Sequence, residues 1–231
     1  MQELIRSILE EQVETISNIY STDEIVNNVF EYKGFYLTPL LLSVKIENYE
    51  ICKLLIDKGA NVSTADKIVC IDDLRYVDDG VYPVHHACRQ GNLKIAELLI
   101  ERGANPNQET SLGMTPFLYA VQTNNLDLIK YLTPLTNNIN KTMSQNYNAI
   151  NLAISGFVKY EIVEYLVSLR IDVNNDGAGH WTPLLSCVAK ERYDVAKLLI
   201  DNGANVKSKT EAGWDIFYLA KNKEKLYEIL Q

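Results

Sequence analysis

The sequence predicts an all-α solenoid of stacked helix-turn-helix units, on three observations. An opening block, in which a polar residue is followed in four of six cases by Pro, then an apolar residue and later Ala, recurs at Thr38, Tyr82, Thr115, Asn148, Thr182 and Asp215, in steps of 44, 33, 33, 34 and 33 residues. Behind the first five blocks stands a second stripe with apolar residues at i, i+3 and i+4: Ile51, Leu54, Leu55; Ile95, Leu98, Leu99; Leu128, Tyr131, Leu132; Ile162, Tyr165, Leu166; Val195, Leu198, Leu199. Three stripes close on the same tripeptide, Gly59-Ala60-Asn61, Gly103-Ala104-Asn105 and Gly203-Ala204-Asn205. A short fixed period means that the core is built locally, repeat upon repeat, within one elongated domain.

The N-terminal stretch, residues 2–20, carries Leu4, Ile5 and Ile8 and then Val13, Ile16 and Ile19 at helical spacing, which predicts two short helices. With Glu3, Arg6, Glu10, Glu11 and Glu14 on the wet side, they suit a cap over the first full repeat. Ser21, Thr22 and Asp23 are capping residues ahead of Ile25, Val26 and Val29, so the junction to the first repeat is expected to hold a further helical turn. In the repeats, Thr38, Thr115, Asn148, Thr182 and Asp215 are able to accept from exposed helix N–H groups, while Tyr82 lacks this chemistry. Pro39, Pro83, Pro116 and Pro183 enter the first helical position with no N–H to leave unsatisfied. Repeats three and four lack the terminal Gly, carrying Thr136-Asn137 and Arg170-Ile171 instead, and Pro134 is expected to cut the second helix of repeat three short. Repeat four holds one extra residue near Phe157 to Tyr160, so the middle of the stack is expected to be its least regular part. The last unit has a first helix and an abbreviated second one, with Lys221, Lys223 and Lys225 on a polar C-terminal cap.

A period of this length carrying T-P-L-H-x-A-like blocks, best seen in YPVHHA at Tyr82 to Ala87, resembles the ankyrin-repeat family over roughly residues 34–231. The resemblance implies β-hairpin-like loops between helix pairs, standing beside a concave groove. The expected divisions are 1–33 N-terminal helical cap, 34–63 repeat one, 64–80 acidic loop insertion, 81–110 repeat two, 111–143 repeat three, 144–177 repeat four, 178–210 repeat five and 211–231 a truncated capping repeat.

Charge and composition limit the function. The net charge of -8 is concentrated in residues 1–33, at -5, and 64–80, at -3, with the remainder neutral. Nucleic acid needs a basic patch and is not expected as a partner. A protein with a basic surface fits the sign better. There is no long apolar run and no basic start with an apolar core behind it, so neither a membrane nor export is expected, and the location inferred is cytoplasmic. Cys52, Cys70, Cys88 and Cys187 show neither metal-ligand pairing nor disulfide density and read as reduced thiols.

Two features are candidates for binding. The eleven extra residues of the first step fall within Thr64 to Gly80, where Asp72, Asp73, Asp78 and Asp79 form an acidic finger. The other is the residue before each opening block: Leu37, Val81, Met114, Tyr147, Trp181 and Trp214. The resemblance places this position on the hairpin arm facing the groove, so these six are expected to line up as an apolar and aromatic stripe of the kind that anchors interfaces. Neighbouring groove positions include Lys45, Ile46, Arg89, Gln90, Gln122, Thr123, Ser155, Ala189 and Lys190. For an enzyme the best constellation is His85, His86 and Cys88, a remote metal-dependent alternative, since His85 occupies the structural His of the block and Cys88 a small buried position. The expectation is therefore a monomeric, cofactor-free, non-catalytic module that captures a protein in its groove. The alternative is an inhibitor or immunity-type protein that blocks a basic toxin or nuclease.

Overall fold

The computed structural model describes residues 1–18, 23–68 and 79–231. They form two units, Met1–Ala120 with Lys130–Leu135, and Val121–Ile129 with Thr136–Gln231.

In the first unit, α1 (Gln2–Leu9) and α2 (Val13–Asn18) bury Leu4, Ile8 and Ile16. A further turn, α3 (Asp23–Asn27), lies where the junction was expected to hold one. A hairpin follows, of the kind the resemblance implies: β1 (Phe30–Tyr32) and β2 (Phe35–Leu37) pair antiparallel, with Phe30 opposite Leu37. Its turn is Lys33-Gly34, both at positive φ (49° and 81°), the two-residue geometry whose twist matches that of paired strands. After the helix pair α4 (Pro39–Lys45) and α5 (Tyr49–Asp57), β3 (Lys67–Ile68) adds to the other edge of β2 and completes a three-stranded sheet. The next pair is α6 (Pro83–Gln90) and α7 (Leu93–Glu101). First helices pack on first helices and second on second: α1 on α4, α4 on α6, α2 on α5 and α5 on α7. The N-terminal pair thus meets the first full repeat as another repeat would.

The pair α8 (Pro116–Val121) and α9 (Leu126–Leu132) contributes residues to both units. The second unit continues with α10 (Ala149–Ser155), α11 (Tyr160–Ser168), α12 (Pro183–Ala189), α13 (Tyr193–Asp201), α14 (Ile216–Leu219) and α15 (Lys223–Ile229). Here α10 packs on α12 and α12 on α14, with α11 on α13 and α13 on α15.

The caps explain where these helices begin and end. Thr38, Thr115 and Thr182 each accept from the backbone N–H three residues on, at 3.2–3.3 Å. Asn148 and Asp215 each accept from two such groups. Tyr82 makes no side-chain cap; instead its own N–H donates to His85 Nδ1 at 3.1 Å. Gly59, Gly103 and Gly203 stop their helices at φ of 91° to 95°, and the following Ala donates back five residues to the last turn. In repeat four this left-handed position belongs to Arg170, at φ 59°. Helix α9 has seven residues where α5, α7, α11 and α13 have nine, and gives way to a 3-10 turn, Thr133–Leu135, that contains Pro134.

Candidate functional site

Each loop between helix pairs is pinched by one recurring bond. Thr110 N–H donates to Met114 O (3.0 Å), Met143 to Tyr147 (3.0 Å), Gly177 to Trp181 (3.2 Å) and Thr210 to Trp214 (2.9 Å). At Thr110 and Thr210 the hydroxyl closes the loop from the other side, accepting from Met114 N–H and Trp214 N–H at 3.2 Å. Asp66 holds the corresponding place in the first of these loops. Its N–H donates to Val81 O at 3.0 Å, and its Oδ1 accepts from Val81 N–H at 3.2 Å. The insertion therefore enters at the hairpin tip, between Asp66 and Val81, and its neck is closed as in an uninserted repeat. Asp72, Asp73 and Asp78 lie outside the described residues. Asp79 is exposed and pairs by its backbone with Ser111, donating to the Ser111 hydroxyl and accepting from the Ser111 N–H.

A carboxylate in place of the Thr hydroxyl gives the first unit a charge network. The second oxygen of Asp66 accepts from His86 Nε2 at 2.8 Å and lies 3.5 Å from Lys45 Nζ, which also sits 4.2 Å from the centroid of the Phe35 ring. Arg89 donates to His86 Nδ1 at 3.2 Å. With Nδ1 accepting and Nε2 donating, His86 is a neutral imidazole. Burial holds its pKa below the ordinary value and, with Lys45 and Arg89 nearby, outweighs the Asp66 hydrogen bond that would raise it. Burial would raise Asp66, but the His86 hydrogen bond together with the His86 and Lys45 charges brings it below the usual carboxylate range. Arg89 is thus exposed yet tied to His86, and Gln90 spends its amide on the Lys45 carbonyl at 3.0 Å.

The residues before the caps do not form one exposed stripe. Leu37, Val81 and Met114 are buried, at 1, 4 and 4% exposure, which corrects the expectation of a contact surface there. A Leu, Val or Met side chain on a paired hairpin arm is short enough to be covered completely, whereas an indole or phenol reaches past its own loop. In the second unit Tyr147 and Trp181 are half-buried, and Trp214 is 39% exposed. The Tyr147 ring lies over Gly177, where an added Cβ would overlap it, so the glycine is required for that placement. Trp214 stacks on Tyr218, with centroids 5.3 Å apart and planes 21° off parallel, and Tyr218 is itself 68% exposed.

A family profile for ankyrin repeats (three copies) matches residues 3–110, 65–143, 85–176 and 136–210. The chain belongs to the ankyrin-repeat family. Among its relatives is an ankyrin repeat protein of fowlpox virus (strain NVSL), 27% identical over 218 residues, which covers 87% of this chain and 37% of that protein. Another, from Saccharomyces cerevisiae, is described as probable 26S proteasome regulatory subunit p28; it is 31% identical over 168 residues, covering 71% of this chain and 69% of that one. The crystal structure of the human ASB11 ankyrin repeat domain superposes with a TM-score of 0.79 at 22% identity, covering 98% of this chain and 96% of that domain. The ankyrin repeat domain of Bcl-3, a member of the IkappaB protein family, gives a TM-score of 0.73 at 18% identity, covering 99% and 97%.

Ankyrin repeats as a class are protein–protein interaction modules. In this ankyrin chain the His and Cys residues considered for catalysis have other work. His85 accepts from Tyr82 N–H at Nδ1, and its Nε2 donates to Gln108 O at 2.9 Å. Cys88 is buried and its thiol pushed well up by burial; Cys52 and Cys187 are likewise buried and pushed up to about 12. Cys70 lies outside the described residues. Among the described residues no group of three or more His, Cys, Asp or Glu is placed to hold a metal ion, and no helix is long and apolar enough to cross a membrane. The sequence reading missed Asp66 as an organising residue, although its step of 44 to Thr110 equals that from Thr38 to Tyr82 and so gives its register. It also missed Glu211 and Tyr218, which flank the exposed indole.

Proposed function

We propose that this chain is a non-catalytic protein-binding module whose recognition is carried by the aromatic face of the second unit, with Trp181 and Trp214 as anchors and Tyr147 beside them. The observation that carries this reading is the exposed Trp214–Tyr218 stack, accompanied by Phe217 on α14 and Tyr227 on α15, which are 43% and 55% exposed. Large rigid aromatics left in water are costly for a soluble domain and are the residue types that dominate interface energetics. The acidic excess in residues 1–33 and 64–80, outside the second unit, favours a partner with a basic surface through association rate more than through contact at the aromatics.

The test is affinity capture from the source lysate with the intact chain, a Tyr147/Trp181/Trp214 triple Ala variant, and a variant in which residues 69–78 are replaced by a short linker that leaves Asp66 and Val81 in place. For any partner so identified, Trp181→Ala is expected to weaken binding by about 2 kcal/mol or more with helicity unchanged. A partner held equally by the intact chain and the triple variant refutes the aromatic face. One lost only with the linker variant moves recognition to the insertion.

A further inference from the structure

Between the last two hairpin loops of the second unit lies a cleft of about 340 Å³, lined by Gly179, Trp181, Thr210, Glu211, Ala212 and Trp214. Two sides are indoles. Gly179 leaves the floor empty: a Cβ there would meet Trp181 Cδ1 at 3.6 Å and Glu211 Oε2 at 3.9 Å, so ring and carboxylate converge over a residue with no side chain. Glu211 is fixed by its backbone, which donates to Gly179 O at 2.9 Å, while its carboxylate has no ion pair or hydrogen bond with any described residue. The Thr210 hydroxyl is already engaged as the acceptor for Trp214 N–H. No Lys, Arg or His lines the cleft. His180, held by Asp176 at 2.8 Å, and Lys209 line a separate hollow.

Indole faces are electron-rich and attract cations, and a cation leaving water also needs a counter-ion. We propose that the cleft between Trp181 and Trp214 receives a cationic side chain, lysine or arginine, from the protein partner, with the indoles against its stem and head and Glu211 as counter-ion. This rests on the reading that the aromatic face binds a protein, and it adds the chemical class of the group bound. An anionic or purely aliphatic group would leave the Glu211 charge unused or opposed.

Trp181 and Trp214 are the only two tryptophans in the sequence, so both indole N–H signals in a proton–nitrogen spectrum report on this cleft. The intact chain is titrated with the acetylated, amidated tripeptides Gly-Lys-Gly, Gly-Arg-Gly and Gly-norleucine-Gly, the last keeping the stem without the charge. The expected result is a saturable shift of both indole signals with a cationic tripeptide, weaker by about tenfold or more with norleucine and in Glu211→Gln, and reduced as salt is raised. Unchanged backbone amide signals in Glu211→Gln establish that the variant is folded. Equal binding of norleucine, equal binding by Glu211→Gln, or no response to either cation overturns the proposal. Those outcomes leave the partner-binding reading standing, because that reading falls only if the triple Ala variant captures the partner undiminished.

Discussion

Arg170 shows how a single side chain records a departure from the repeat. Gly59, Gly103 and Gly203 end their helices in the left-handed region without steric cost, and Arg170 occupies the same place at φ 59° with a Cβ that crowds its own backbone. Its side chain is exposed and makes no hydrogen bond or ion pair with any described residue that would reward the strain. Arg170→Gly is therefore expected to stabilise the chain by about 0.5–1 kcal/mol, the relief of strain being offset in part by the larger entropy of glycine in the unfolded chain. Urea denaturation checks this through a higher midpoint at unchanged slope; a lower midpoint would mean that Arg170 makes a contact worth more than its strain. Legibility differed in the same way from residue to residue. The N-caps at Thr38, Thr115, Asn148, Thr182 and Asp215 were readable because capping chemistry is local to three or four positions. Exposure of the residues before them was not, because Leu37 and Trp214 share a register and differ only in how far each side chain reaches.

Helices and strands were unequally visible for a related reason. The helix pairs announce themselves by an apolar period that persists over nine residues, and Pro134 marks the early end of α9 by a rule that needs no neighbour. The strands β1, β2 and β3 are two or three residues long, and β3 pairs with β2 across some thirty residues of intervening chain, so no window of sequence contains the signal. The stretch after α9 lacks both kinds of support. It runs through one 3-10 turn at Thr133–Leu135 and another at Ser144–Asn146, where Gln145 and Asn146 hold positive φ (67° and 60°). Short 3-10 turns have poorer hydrogen-bond geometry than α-helix, and their amides open with little cooperative cost. Hydrogen exchange is expected to show amides of residues 133–147 exchanging at least about tenfold faster than those of the second helices α5, α7, α11 and α13. Protection equal to those helices would show that this middle segment is held by contacts stronger than its backbone pattern.

The response of the chain to pH follows from the network around Asp66. His86 faces Asp66 from the hairpin neck, Lys45 from α4 and Arg89 from its own helix, and its folded pKa lies below its ordinary 6.5. A histidine depressed by folding binds fewer protons in the native than in the unfolded chain. Stability therefore falls as pH drops below about 6.5, by up to about 1.4 kcal/mol for each pH unit separating the two pKa values. Asp66, also depressed, adds a second loss only when pH falls below its ordinary 3.8 and through its lower folded value. The two effects share a sign and occupy separate windows, so pH 7.5 to 5.5 isolates the imidazole. His86→Gln keeps an N–H donor for Asp66 but cannot take up a proton. The urea midpoint of the native chain is expected to fall between pH 7.5 and 5.5 by more than that of His86→Gln, while both behave alike from pH 7.5 to 8.5. If the two fall in parallel, the pH response of the first unit originates elsewhere than in His86.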